Sequence, residues 1–222
     1  MLAGRRQAMR EARLYFICEG LPNGQDPEAL LEAALVGGVD LIQLREKAPR
    51  CAEEIVALAR PFRRAAERHG ALFLLNDHPE LVAACGADGV HVGQDDLPVA
   101  DARAAAGPGT LVGLSTHSAG ELVAARSASG HAQPDQLSVG PIWETPTKQG
   151  RPATGLELVE HAAEGEDEPP WFAIGGIDLE NVHRVVAAGA RRVVVVRAIR
   201  DATDPAAAAR ELRSALDAAA AG

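Results

Sequence analysis

Eight short runs that are apolar on both faces of a strand recur along the chain with helical stretches between them, and this repetition limits the fold more than any other feature. They lie at Leu14–Cys18, Asp40–Leu44, Leu72–Leu75, Gly89–Val92, Leu111–Leu114, Gln136–Val139, Trp171–Ile174 and Arg192–Val196. Strands without polar alternation are those of parallel sheets, where helices cover the outer face. The intervening segments Pro27–Val36, Ala52–His69 and Leu179–Ala188 carry apolar residues at helical spacing. Several begin at cap residues such as Asp178 and end at glycines such as Gly37, Gly70 and Gly189. Eight β-α units in 222 residues leave roughly 28 residues each, compact but workable for a single (β/α)8 TIM barrel of usual size about 250. A doubly wound sheet would want a glycine fingerprint after its first strand, and Cys18–Pro27 holds no G-x-G-x-x-G. The expected fold is α/β: one barrel over residues 14–222, preceded by an extension at 1–13 expected to be flexible. Glu164–Pro170 reads as a solvated loop and Pro205–Ala221 as a closing helix.

Charge narrows the function. With 22 basic and 31 acidic residues the chain carries −9 at neutral pH, a surface that repels nucleic acid. Aromatics are 3%, too few for a base-stacking platform. No apolar run approaches the ~18 residues of a membrane span, and the basic start (Arg5, Arg6, Arg10, Arg13) lacks the apolar core of a secretory signal. Cys18, Cys51 and Cys85 are an odd, widely spaced set that suits neither a disulfide framework nor a structural zinc site. A reducing cytoplasm and small-molecule partners are expected, with no nucleic acid and no membrane; a homo-oligomer is compatible with the sequence. Lys47 and Lys148 are the only lysines among the 22 basic residues.

The unusual polar residues fall at the C-terminal ends of the predicted strands, where such barrels place their chemistry. Strand two runs into Gln43-Leu44-Arg45-Glu46-Lys47, and alternation aims Gln43, Arg45 and Lys47 to one side, a grip for phosphate or diphosphate. Strand three ends in Asn76-Asp77 and strand four in Gly93-Gln94-Asp95-Asp96. Two carboxylates at adjacent strand ends suit Mg²⁺, though Asp77 and Asp96 also stand where helix caps would be useful ahead of Pro79 and Pro98. His91 reads as a packed, hydrogen-bonded core histidine. After strand six, Thr145-Pro146-Thr147-Lys148 suggests a loop closing over an anion, and Gly175-Gly176 after strand seven exposes backbone N–H groups in a common phosphate position.

These motifs, in this order, resemble those of the thiamine phosphate synthase family: Gln43-Leu44-Arg45-Glu46-Lys47, Asn76-Asp77, His91-Val92-Gly93-Gln94-Asp95-Asp96, Gly113-Leu114-Ser115, Gly140-Pro141 through Lys148, and Ile174-Gly175-Gly176-Ile177. The resemblance spans nearly the whole chain. It implies a barrel transferase that joins 4-amino-2-methyl-5-pyrimidinylmethyl diphosphate to a thiazole phosphate and releases diphosphate, by a dissociative route through a pyrimidinylmethyl cation. It further implies that Gln43, Arg45, Lys47, Asn76 and Lys148 hold the pyrimidine diphosphate, that Ser115 contacts the pyrimidine, and that Asp77 and Asp96 bind Mg²⁺. Lys148, Arg45, Lys47 and Ser115 are the implied catalytic set. Thr145, Thr147, Gly176, Val196 and Arg197 would surround the thiazole phosphate, with Arg197 standing where many members have Ser. Two other readings remain open: a thiazole tautomerase on the same scaffold, and a non-catalytic sensor of thiamine-precursor phosphates.

Overall fold

The computed structural model describes residues 2–145, 152–165 and 167–220. Eight parallel strands close into a barrel in sequence order: β1 Leu14–Cys18, β2 Leu41–Leu44, β3 Leu72–Asn76, β4 Gly89–Val92, β5 Leu111–Thr116, β6 Gln136–Val139, β7 Trp171–Ile174 and β8 Val193–Val195, with β8 pairing back onto β1. The helices are α1 Leu2–Glu11, α2 Glu28–Val36, α3 Ala52–His69, α4 Val82–Cys85, α5 Val99–Ala106, α6 Ala119–Ser127, α7 Glu157–Ala163, α8 Val182–Ala187, α9 Arg197–Arg200 and α10 Pro205–Ala220. This is the (β/α)8 barrel the repeating runs predict.

Both faces of each strand are buried because each face has its own partner. Phe16, Ile42, Phe73, Val90, Val112 and Val193 pack outward into the layer shared with the helices. Their neighbours Tyr15, Leu41, Leu72, Leu74, Leu111, Phe172 and Val194 fill the lower barrel, where the Tyr15 and Phe172 rings meet edge to face, 5.7 Å between centroids. Residues 2–11, expected as part of an extension outside the fold, are instead the helix α1. Met9, together with Ala12 just beyond the helix, is buried against the interior cluster and closes the barrel at its N-terminal end. The short apolar spacing of Met9 and Ala12 among arginines hid this helix from a reading keyed to longer periodic runs.

The same end is laced by carboxylates. Asp40, Asp88 and Asp135 each stand immediately before an even-numbered strand, β2, β4 and β6, and each accepts backbone N–H groups from the start of the strand before it. Asp40 Oδ2 takes Leu14 N at 3.0 Å, Asp88 Oδ2 takes Phe73 N at 3.0 Å, and Asp135 Oδ2 takes Val112 N at 2.9 Å. Arginines then grip them from outside: Arg213 on Asp40, Arg5 and Arg63 on Asp88, Arg6 and Arg103 on Asp135. Two of those arginines belong to α1, which is why so polar a helix stays docked.

Local details adjust the expected boundaries. Asp178 does not cap α8; it accepts from Glu180 N and Asn181 N in a turn ahead of it, and Asn181 occupies the cap position. Asp77 and Asp96 cap nothing either, since His78 and Pro98 hold the cap positions of the following turns. Gly70 ends α3 in the left-handed region at φ 65°, as its glycine suggests.

All three cysteines are free. Cys51 is exposed, while burial, reinforced by the neighbouring Glu19 carboxylate, holds the Cys18 thiol far above its ordinary range and burial pushes Cys85 up to about 11. Native protein at pH 7 is expected to release one equivalent of thionitrobenzoate from Ellman's reagent, and denatured protein three; more than one in the native state would contradict the packing. Truncating Asp135 to Ala leaves Arg103 and the Val112 N–H without their buried acceptor and is expected to cost about 3–5 kcal/mol, read from urea unfolding.

Candidate active site

The opposite, C-terminal end of the barrel holds a cavity of about 590 Å³, the size of a small-molecule site. Alternation along each strand delivers its residues. Inward positions that are apolar low in the barrel become polar one or two steps higher: Leu41 is followed by Gln43 and Arg45, Leu74 by Asn76, and Leu111 by Gly113 and Ser115. Every sequence-predicted residue within the described part of the chain borders this one cavity: Gln43, Arg45 and Lys47 after β2, Asn76 and Asp77 after β3, Asp96 after β4, Ser115 on β5, Thr145 after β6, Gly176 after β7, and Val196 and Arg197 after β8. Thr147 and Lys148 lie outside the described residues.

The basic and acidic groups are set against each other. The Lys47 ammonium pairs with the Asp77 carboxylate. Arg45 is half-buried; desolvation lowers its pKa, while the charges of Asp77 and Glu19 favour the guanidinium form. An arginine keeps its charge under such pressure, so a cation is held partly out of water with a fixed direction. Asp77 itself adopts φ 68°, in the left-handed region, at a cost of about 1–2 kcal/mol. Its backbone N–H bonds to the His91 carbonyl at 3.0 Å, which ties β3's end to β4 in that conformation. Asp96 Oδ2 accepts from Gly93 N at 2.7 Å, and Gly93 is where a Cβ would stand 3.0 Å from that oxygen.

Among the described residues, the buried atoms Gln43 Oε1 and Asn76 Nδ2 find no hydrogen-bond partner. Gln43 gives its amide N–H to Tyr15, leaving Oε1 without a donor, and Asn76 Nδ2 lacks an acceptor. An unpaired buried group costs about 1–3 kcal/mol. A donor and an acceptor left unmatched on neighbouring strands mark a place where a ligand with both kinds of group would be held.

Other residues border the cavity to which the sequence assigned no role: Gln94, His91 and the loop-end His117. Gln94 Nε2 donates to the Ser115 carbonyl at 2.7 Å, and the His117 ring bonds to the Gly140 carbonyl. His91, expected as a packed and hydrogen-bonded histidine, is that, but it also borders the cavity and bonds Ser115 and Gln136. Directly after β1 and β8, Arg200 ties Glu19 to Asp201. Counting inward positions by twos from Gly89 and Gly113 would have placed His91 and Ser115 in the same interior. A buried strand histidine alone gives no such signal.

Two carboxylates from adjacent strands, Asp77 and Asp96, face the cavity, each engaging the protein through Oδ2. Among the described residues no group of three or more His, Cys, Asp or Glu is clustered for a metal. Hard oxygen donors in that number fit an ion such as Mg²⁺, which takes one or two protein carboxylates and completes its shell with phosphate oxygens and water. No helix among the described residues is long and apolar enough to cross a membrane.

Fold and cavity together define a (β/α)8 barrel enzyme whose polar mouth carries Arg45, Lys47 and Arg197 beside Asp77 and Asp96. The profile of the thiamine monophosphate synthase family matches residues 14–199. The chain is 49% identical to a thiamine-phosphate synthase of an Arthrobacter species, covering 95% of this chain and 96% of that one. It is 50% identical to one of Mycobacterium tuberculosis, covering 95% and 97%. Among solved structures it superposes on a thiamine phosphate pyrophosphorylase from Pyrococcus furiosus with a TM-score of 0.82 and 27% identity, covering 97% and 98%. The chain belongs to the thiamine monophosphate synthase family.

Proposed function

We propose that this transferase of thiamine biosynthesis joins 4-amino-2-methyl-5-pyrimidinylmethyl diphosphate to a thiazole phosphate in the cavity, forming thiamine phosphate and diphosphate. One observation carries the reading: Arg45 and Lys47, Asn76 and Asp77, and Asp96 converge from three adjacent strands on one side of a mouth whose other side carries Gly176 and Arg197. A diphosphate suits the first set and a second phosphate the other. Gln43, Arg45, Lys47, Asn76 and Lys148 hold the pyrimidine diphosphate, Ser115 contacts its ring, and Thr145, Thr147, Gly176, Val196 and Arg197 surround the thiazole phosphate. Gly176 has φ 70°, a backbone conformation that suits glycine and turns the chain at that point.

In the reaction the C–O bond to diphosphate breaks with its electron pair leaving on oxygen. The pyrimidinylmethyl cation left behind spreads its charge onto the ring amino group. The thiazole nitrogen then supplies the pair for the new C–N bond. Nothing here needs a covalent nucleophile from the protein. The chain's part is to hold both reactants in line and to stabilise the growing charge of the leaving group with fixed cations. Asp77 and Asp96 would hold Mg²⁺, which when bound neutralises part of that charge. The partly desolvated Arg45 contributes more strongly than a solvated cation, because the surrounding dielectric is lower.

Incubation of the two purified precursors with and without Mg²⁺, followed by chromatography, is expected to give thiamine phosphate only with the metal. No product from folded protein would overturn the reading in favour of a tautomerase or a sensor. Arg45→Ala is expected to lower kcat/KM about 10²-fold or more. Asp96→Asn is expected to raise the Mg²⁺ concentration for half-maximal rate at least about tenfold, measured by metal titration.

A further inference from the structure

The only tyrosine of the chain, Tyr15, stands on β1 with its side chain wholly buried in the apolar lower barrel. Its register partner on β2 is Leu41, and Gln43 is the next inward position above Leu41. The phenol reaches up that one step. Its hydroxyl meets the Gln43 carboxamide, while its ring is held edge to face against Phe172. Tyr15 does not itself border the cavity; on β1 the residue that does is Ile17, one inward step higher.

A phenylalanine would fill the same space without bringing a polar atom that has to be matched. Among the described residues the partner of this hydroxyl is Gln43. Burial, partly offset by that bond, holds the phenol far above its ordinary range, so it stays neutral and can both give and take a hydrogen bond. It can therefore hold the carboxamide by either end, and in either case the other end is left over. In the structure that end is the buried, unmatched Oε1 of a residue bordering the cavity. Asn76, one inward step above the register partner of Gln43 on β3, leaves Nδ2 unmatched beside the same cavity.

We propose that Tyr15 is a positioning residue that holds the Gln43 carboxamide in place for the pyrimidine ring, acting through Gln43 and without touching either substrate. This rests on the reading that Gln43 binds the pyrimidine diphosphate. Glutamine is long and flexible, and ordering it on binding would draw on the ligand's own affinity. A hydroxyl that fixes it beforehand removes that cost. The phenol also adapts by turning its proton, so the pair offers the ring a donor or an acceptor as the ring requires. Because the ring is held in this way before and during reaction, the contribution falls on binding more than on turnover.

Tyr15→Phe removes the hydroxyl and keeps the ring against Phe172. Its KM for the pyrimidine diphosphate is expected to rise about three- to tenfold, the usual worth of a neutral hydrogen bond. The KM for the thiazole phosphate and kcat are expected to stay close to wild type. In a Gln43→Leu background the same substitution is expected to change neither KM further, since the residue it acts through is gone. Equal effects in the two backgrounds, an equal rise in both KM values, or a folded Tyr15→Phe with wild-type constants would overturn the proposal. A second readout uses the single tyrosine: ¹³Cζ-labelled tyrosine gives one carbon signal, next to the hydroxyl. It is expected to move when the wild type is saturated with the pyrimidine diphosphate, followed by calorimetry without the thiazole phosphate. In Gln43→Leu saturated with the same ligand it is expected to stay in place. A signal that stays in the wild type, or moves equally in both proteins, would overturn the proposal. If Tyr15→Phe does not fold, this signal decides. If the wild type binds the pyrimidine diphosphate but makes no thiamine phosphate, the reaction reading falls and the signal still decides the role of Tyr15.

Discussion

The carboxylates ahead of alternate strands are the constraint on which the rest depends. Asp40, Asp88 and Asp135 each bind the backbone of the preceding strand and an arginine from outside, so they set how far each pair of strands is advanced relative to the other. Side chains alternate along a strand, and a slip of one residue exchanges its faces. With the register held at the closed end, Gln43, Asn76, His91 and Ser115 all arrive inside at the open one. Bonds far from the cavity thus decide what lines it.

The interior is divided by chemistry along its axis. Its lower half is apolar and closed by α1; its upper half carries amides, hydroxyls and a histidine. Some of those polar atoms are matched by one another, as in the run from Ser115 to Ser138, and some find no match among the described residues, as with Gln43 Oε1 and Asn76 Nδ2. The unmatched groups cost folding free energy that the apolar half offsets. Stability is made at one end and drawn on at the other.

Much of this was legible in the residues. Runs apolar on both faces can only be strands covered by helices, so Leu14–Cys18, Gly89–Val92, Gln136–Val139 and Trp171–Ile174 show their bounds without a structure. The site was legible where charge appears directly after a buried strand, as at Arg45, Lys47, Asp77 and Asp96, because such a residue has few other reasons to be there. α1 was not legible: its docking depends on Arg5 and Arg6 reaching aspartates more than 80 positions away, and no local pattern encodes that. Nor was the partnership of His91 with Gln136, which exists because Gly113 lies between them in space. Adjacent strands can be counted from sequence, but the void above a missing Cβ is a property of their packing.

The helix across the closed end has a consequence for traffic. With Met9 and Ala12 stoppering one end, the described residues leave the cavity open at the other, so whatever reacts there comes and goes on the side where the polar residues stand.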